Sequence, residues 1–240
     1  MARIGREQMT STPITALMSG KVAPLGARQV LSGISKQPLT KPLFLSFEGL
    51  TGDEQGDRRH HGGPDKALHH YALDHYPTWR SELGSNPALE HAGAFGENIA
   101  TFGLTESDVA IGDVFRLGEA IVEVSQGRQP CWKLNLRFSV PDMARRVQLT
   151  GRTGWYYRVL EPGMVSPRET LIRIERRSPQ WTVRRVWEIF YVRTLEGTEL
   201  SSLSELPHLA ESWRRHALRR LETGTLEDWS IRLDGAEPTK

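Results

Sequence analysis

One cysteine, Cys131, stands in a chain of 240 residues. No intramolecular disulfide and no cysteine-rich zinc site can be built from it, which excludes a disulfide-stapled secreted fold. A four-cysteine iron–sulfur cluster is excluded for the same reason. No apolar run approaches the roughly 18 residues of a membrane span, and the first 21 residues lack the apolar centre of a signal peptide. A cytoplasmic protein with no membrane partner is expected. Lysine is scarce, with six against 25 arginines, and the formal net charge is only +2. The basic residues are dispersed and match no nucleic-acid-binding motif, so no nucleic-acid partner is expected. Three catalytic signatures are also missing: the Walker loop, the Gly-x-Gly-x-x-Gly dinucleotide fingerprint and the His-Glu-x-x-His zinc motif.

Glycine and proline are plentiful, 22 and 14, and from residue 12 to 177 they separate short apolar segments. Val109–Phe115 and Glu119–Ser125 flank the turn Arg116-Leu117-Gly118 and predict a hairpin. Leu171–Glu175 alternates and predicts a late strand. Two short helices are expected in this stretch, Asp74–Leu83 with Asp74 as N-cap and Pro141–Leu149 with glycine after its end. The fold class is therefore mainly β up to residue 177. From 178 to 240 the pattern turns helical. Thr182 caps a segment in which Val183, Val186, Trp187, Phe190 and Tyr191 share one face. A second helix over 207–221 buries Leu209, Trp213, Ala217 and Leu221, and a third covers 226–233. Together they predict a small three-helix bundle packed on the β-domain, with Arg184, Arg185, Arg214, Arg215, Arg219 and Arg220 on solvated faces or against an acidic partner.

Three segments can carry chemistry. In residues 52–68, charged groups alternate with glycines. Glycine lets the backbone approach a ligand closely, and Arg58, Arg59 and Lys66 supply cations, so the segment reads either as a cradle for an anion or as a polar surface loop. His60, His61, His69, His70 and His75 cluster here, but their spacing does not favour a zinc site over satisfied or solvent-facing histidines. Phe95-Gly96-Glu97-Asn98 sets an aromatic and an amide in a turn. Asn98 suits either the edge of a heterocycle or the closing of a turn. Finally, Cys131 follows a strand and a proline-ended loop between Arg128 and Lys133. Flanking cations favour thiolate, the form that acts as a nucleophile or as a soft-metal ligand, and the residues leave both roles open beside that of a buried small apolar side chain.

Taken together, His61-Gly62-Gly63-Pro64-Asp65-Lys66-Ala67-Leu68, Phe95-Gly96-Glu97-Asn98 and Ser125-Gln126-x-Arg128-x-Pro130-Cys131-x-Lys133-Leu134 resemble the MOSC-domain family, in its YiiM-like branch with a C-terminal three-helix domain. The resemblance implies a β-barrel-like MOSC fold over 12–177 followed by the helical domain. It implies molybdenum cofactor as ligand, with Cys131 as the thiolate on the metal. Arg58, Arg59, His61, Gly62, Gly63, Lys66, Phe95, Asn98 and Arg128 are the candidate cofactor-binding residues. It further implies reduction of N-hydroxylated compounds such as hydroxylaminopurine base analogues to amines, a detoxification that consumes two electrons and two protons and releases water. His61 and Glu97 are the candidate proton donors. With no electron-carrying motif of its own, the chain is expected to depend on a separate flavin or iron–sulfur reductase drawing on NAD(P)H. No pyridoxal phosphate is expected, since the chain has no room for the desulfurase module that precedes some MOSC domains. A non-catalytic carrier of the cofactor or its sulfur, and a cysteine hydrolase pairing Cys131 with His61, are the competing readings.

Overall fold

The structure, a computed structural model, describes residues 10–56 and 62–235. The chain opens with short strands, β1 (Ser11–Pro13), β2 (Ala16–Ser19), β3 (Ala23–Leu25), β4 (Val30–Ser32) and β5 (Gln37–Pro38). There follow β6 (Leu43–Ser46), β7 (Gly49–Leu50), β8 (Leu68–Ala72) and β9 (Ile99–Thr101). The last strands are β10 (Asp113–Leu117), β11 (Ala120–Gly127), β12 (Trp155–Glu161), β13 (Gly163–Val165) and β14 (Thr170–Arg176). Nine of them form one sheet in the order β1-β14-β10-β11-β12-β8-β9-β2-β5.

Only two residues separate β1 from β2, yet β1 pairs with β14 at one end of that order and β2 with β9 near the other. Across the gap, the Ile14 N–H bonds the Glu169 carbonyl at 3.0 Å and the Thr15 N–H bonds the Ala100 carbonyl at 2.9 Å. This one stretch therefore joins the two ends of the sheet and curls it into a barrel, as the resemblance implies. Inward-facing Leu17, Leu68, Phe115, Val122, Val124 and Tyr157 fill the core.

The predicted hairpin exists with its turn at Gly118-Glu119, because Leu117 pairs with Ala120; Gly118, at φ 60°, supplies the left-handed residue. Leu171–Glu175 lies inside β14. Helix α1 (Tyr76–Leu83) begins later than expected. Residues Leu73–His75 form a 3₁₀ turn, and the Asp74 carboxylate bonds the Gly103 N–H at 2.9 Å instead of capping. Helix α2 (Lys133–Phe138) follows Cys131, and α3 (Met143–Thr150) stops at Gly151 in the left-handed conformation.

After the β-domain come α4 (Val183–Tyr191), capped by the Thr182 hydroxyl on the Arg185 N–H at 3.1 Å, α5 (Gly197–Ser204), α6 (Glu211–Thr223) and α7 (Ser230–Asp234). Two expectations need correction. The third helix of the bundle is α5, not the 226–233 segment: Leu226 is exposed, and Leu233 is buried in the apolar cluster that holds Leu134, Phe138, Met143 and Val147 of the β-domain. Helix α6 buries Trp213 and Ala217 as expected, but its last buried position is Arg220 and not Leu221. Leu221 is 40% exposed, while Arg220 lies 2% exposed in the apolar stripe, bonding Glu227 at 2.7 Å and the Phe190 carbonyl at 2.9 Å. Arg220 is thus a buried strut and not part of a solvated face. No helix among the described residues is long and apolar enough to cross a membrane.

Candidate functional site

Strand β11 ends at Gly127 and delivers the chain into Arg128-Gln129-Pro130-Cys131, whose first residue is pinned by its N–H on the Gly154 carbonyl at 3.0 Å. This loop forms one wall of a cleft that opens to solvent. The opposite wall is built from residues 32–36 and 53–56, two stretches whose backbones run in contact. A Cβ on Gly33 would stand 2.0 Å from the Glu54 carbonyl oxygen, and one on Gly56 2.7 Å from that of Leu31. Phe95 stands at the back of the cleft, stacked on Tyr71 at 3.9 Å between ring centroids. The next residue, Gly96, has φ 78°, and a Cβ there would lie 2.8 Å from Ile34 Cγ1. Glycine is required at that point for both reasons.

The described residues lining the cleft bring four cations, Lys36, Lys66, Arg128 and Lys133, against two carboxylates, Asp53 and Glu54. Each carboxylate already answers to a lysine. Lys36 bonds Asp53 at 2.5 Å with both side chains nearly inaccessible, and Lys21 bonds Glu54 at 2.8 Å. Burial pulls the Lys36 ammonium below its ordinary pKa range despite Asp53, and does the same to Lys66 against the opposing pull of Asp65. Arg128, 7% exposed, has no carboxylate partner among the described residues, and its buried Nη1 makes no hydrogen bond. Desolvation pushes the neighbouring Tyr156 phenol above its ordinary range, against the pull of the Arg128 guanidinium. His69, in the same wall, is held well below the usual imidazole range, first by burial and then by the Arg128 charge.

Of the residues singled out in the sequence, Lys66, Phe95, Asn98, Arg128 and Cys131 meet in this cleft. Asn98 is not free to read a ligand edge with its N–H groups. Its Nδ2 donates to the Met18 carbonyl at 3.1 Å and to Asp53 at 2.9 Å, and its Oδ1 accepts the His69 N–H at 3.1 Å. It ties three wall segments together. Glu97 does not line the cleft; its carboxylate is fully buried and accepts from Gly93 N–H at 2.7 Å, Tyr76 O–H at 2.8 Å and Phe95 N–H at 2.9 Å. That arrangement closes the turn under Phe95, and the structure does not place Glu97 where a proton donor to the cleft would stand. Gly62 and Gly63 precede the 3₁₀ turn Pro64–Lys66, with Gly63 at φ 100°. Arg58, Arg59, His60 and His61 lie outside the described residues.

Among the remaining histidines, His70 is locked between Tyr157 Oη at 2.9 Å and Thr101 Oγ1 at 2.8 Å, and His75 bonds Glu106 at 2.6 Å. No group of three or more potential metal-ligating side chains gathers among the described residues. A single soft sulfur donor set among cations is a different kind of donor set, suited to an anionic, sulfur-rich ligand that brings the metal's other ligands with it. Lys36 and Tyr156 belong to no local motif and escape sequence reading; Asp53 falls inside the segment 52–68, but nothing there marks it as the partner of Lys36.

Comparison with known proteins follows the same division. The MOSC domain profile matches residues 57–171, and that of the YiiM-like 3-alpha helix domain matches residues 181–224. The chain is 43% identical to Protein YiiM of Escherichia coli (strain K12) over 204 residues, covering 85% of this chain and 91% of that one. It is 39% identical over 180 residues to a protein of Gibberella moniliformis named Reductase, of which it spans only 32%. The crystal structure of YiiM from Escherichia coli superposes with a TM-score of 0.76 over 89% of this chain and 98% of that one. The structure of YiiM from Geobacillus stearothermophilus gives 0.75 at 32% identity, over 88% and 100%.

Proposed function

The chain belongs to the MOSC-domain family, in the branch that carries a YiiM-like three-helix domain, and from that premise we propose that its cleft binds molybdenum cofactor and reduces N-hydroxylated compounds to amines. MOSC domains are associated with this cofactor. The observation that carries the proposal is Arg128. Arg137, Arg152, Arg214 and Arg232 also carry a buried guanidinium nitrogen without a partner, but Arg128 alone of these lines the cleft, where an anionic ligand would complete it. Cys131, three residues further on and lining the same cleft, is the protein's thiolate for the metal. Lys66, Lys133 and Arg128 hold the ligand's anionic groups.

When bound, the cofactor supplies the two-electron chemistry that cleaves the N–O bond. The chain's residues do the rest. Phe95, 1% exposed among Tyr71, Tyr76, Trp79 and Phe138, packs behind the cleft and holds the turn at Gly96 in place. Tyr156, whose phenol keeps its proton at neutral pH as any tyrosine does, is moved further from ionisation by desolvation. Asn98 and Asp53 lock the wall that carries Lys36. Reducing equivalents come from a separate NAD(P)H-dependent flavin or iron–sulfur reductase. The name of the Gibberella relative agrees with a reductive role.

The test is turnover. Protein loaded with cofactor, given a chemical reductant and excess hydroxylaminopurine, should form the aminopurine in many equivalents per chain. Cofactor binding with no more than one equivalent of product would leave the carrier reading in its place. Arg128→Gln should lower the cofactor-loaded fraction roughly tenfold or more, the worth of a charge-assisted hydrogen bond, without lowering the melting temperature of the unloaded protein.

A further inference from the structure

Helix α7 lies beyond the stretch matched by the three-helix domain and returns to the β-domain, where Leu233, 2% exposed, joins the apolar cluster of Leu134, Phe138, Met143 and Val147. Its bonds converge on the segment around Cys131. The Arg232 guanidinium donates through Nη1 to the carbonyl of Pro130, the residue before the cysteine. The backbone carbonyl of the same Arg232 accepts the N–H of Trp132, the residue after it, at 2.8 Å. Asn135 Nδ2 adds a bond to the Leu233 carbonyl at 2.9 Å. Arg232 is itself fixed by Nη2 on Gln148 Oε1 at 2.5 Å and by lying over the Trp229 ring, 4.7 Å from its centroid.

We propose that Arg232 is a positioning residue for Cys131: it brackets the cysteine from both sides along the backbone and holds the thiol where it lines the cleft. Apart from Arg232, the proline-ended loop is anchored among the described residues only upstream of the proline, by the Arg128 N–H on Gly154 and by Gln129 Nε2 on Tyr191 Oη at 3.3 Å, and a ligand thiolate must be pre-placed if binding is not to pay the cost of ordering it. The relevance of this bracket to the metal rests on the reading of Cys131 as a ligand, whereas the bracket itself does not. A lysine cannot replace Arg232 fully, because one ammonium does not reproduce the fork that reaches Pro130 and Gln148 together.

The experiment measures the reaction of Cys131, the chain's one thiol, with iodoacetamide in the folded, unloaded full-length protein across a pH series. The limiting rate at high pH reports access to the sulfur apart from its ionisation. The variants are Arg232→Ala, Arg232→Lys and Arg145→Ala. The last removes the surface pair Arg145–Asp234, which tethers the same helix at 2.9 Å but touches nothing around Cys131. The limiting rate should rise at least fivefold in Arg232→Ala and by an intermediate factor in Arg232→Lys, and should stay within twofold in Arg145→Ala. A wild-type rate in folded Arg232→Ala overturns the proposal, as does an equal rise in Arg145→Ala. If Arg232→Ala does not fold, Arg232→Lys decides: a limiting rate at the wild-type value overturns the proposal. These rates need no cofactor, so they stand or fall separately from the molybdenum content of the protein.

Discussion

Lys36 and Asp53 form an ion pair of 2.5 Å inside the wall of the cleft, their side chains only 6% and 4% exposed. The two ends of this pair are not equivalent. Asp53 also receives the Gly20 N–H at 2.8 Å and Asn98 Nδ2 at 2.9 Å, so the carboxylate would keep partners if the lysine were lost. The ammonium has no comparable support.

Asp53→Asn, which leaves a buried ammonium without its counter-charge, should therefore cost about 3–5 kcal/mol, and Lys36→Met distinctly less. Denaturant unfolding of the two variants checks the order. Equal losses, or a larger one for Lys36→Met, would show that the wall is not held by the carboxylate.

Glu97 accepts three hydrogen bonds and is fully buried, and burial raises its pKa against the pull of those donors. In Glu97→Gln an amide nitrogen faces a donor, an expected loss of about 1–3 kcal/mol in stability. Turnover per bound cofactor should stay within twofold. A fall of a hundredfold in a stable variant would return Glu97 to the chemistry as a proton donor.

His70 has its pKa pushed down to about 3 by burial, while the unfolded chain binds its proton near 6.5. Between those values the unfolded state holds one proton more than the folded state. This group's contribution is therefore present above pH 6.5 and is lost as pH falls. Each such histidine gives a slope of about 1.4 kcal/mol per pH unit. Unfolding measured between pH 5 and 6 should show His70→Gln with a slope shallower by about that amount. An unchanged slope would mean that His70 is protonated in the folded protein.

Much of this architecture is legible in the sequence where the signal is local. Thr182 before an apolar i, i+3, i+4 pattern marks α4, Gly151 marks the end of α3, and alternation marks β14. Helix α5 carries little signal, being Gly-Thr-Glu-Leu-Ser-Ser-Leu-Ser; it is held by the Glu196 side chain on the Thr198 and Glu199 N–H groups and by burial of Leu200 and Leu203. Trp213, Ala217 and Arg220 follow the i, i+4, i+7 spacing, but an arginine in an apolar stripe is read as an error until its acceptors are seen. At the site, Cys131 and Arg128 stand in a motif. Lys36 and Tyr156 do not, because segments far apart in sequence bring them there, and Asp53, though inside residues 52–68, gives no local sign of its pairing with Lys36.

The most direct test of the account is the molybdenum and pterin content of protein purified from a host that makes the cofactor, wild type against Cys131→Ala. The account predicts close to one molybdenum per chain in the wild type and its loss in a Cys131→Ala protein that remains folded. Well-folded wild-type protein that takes up neither metal nor pterin, even on reconstitution, would contradict it.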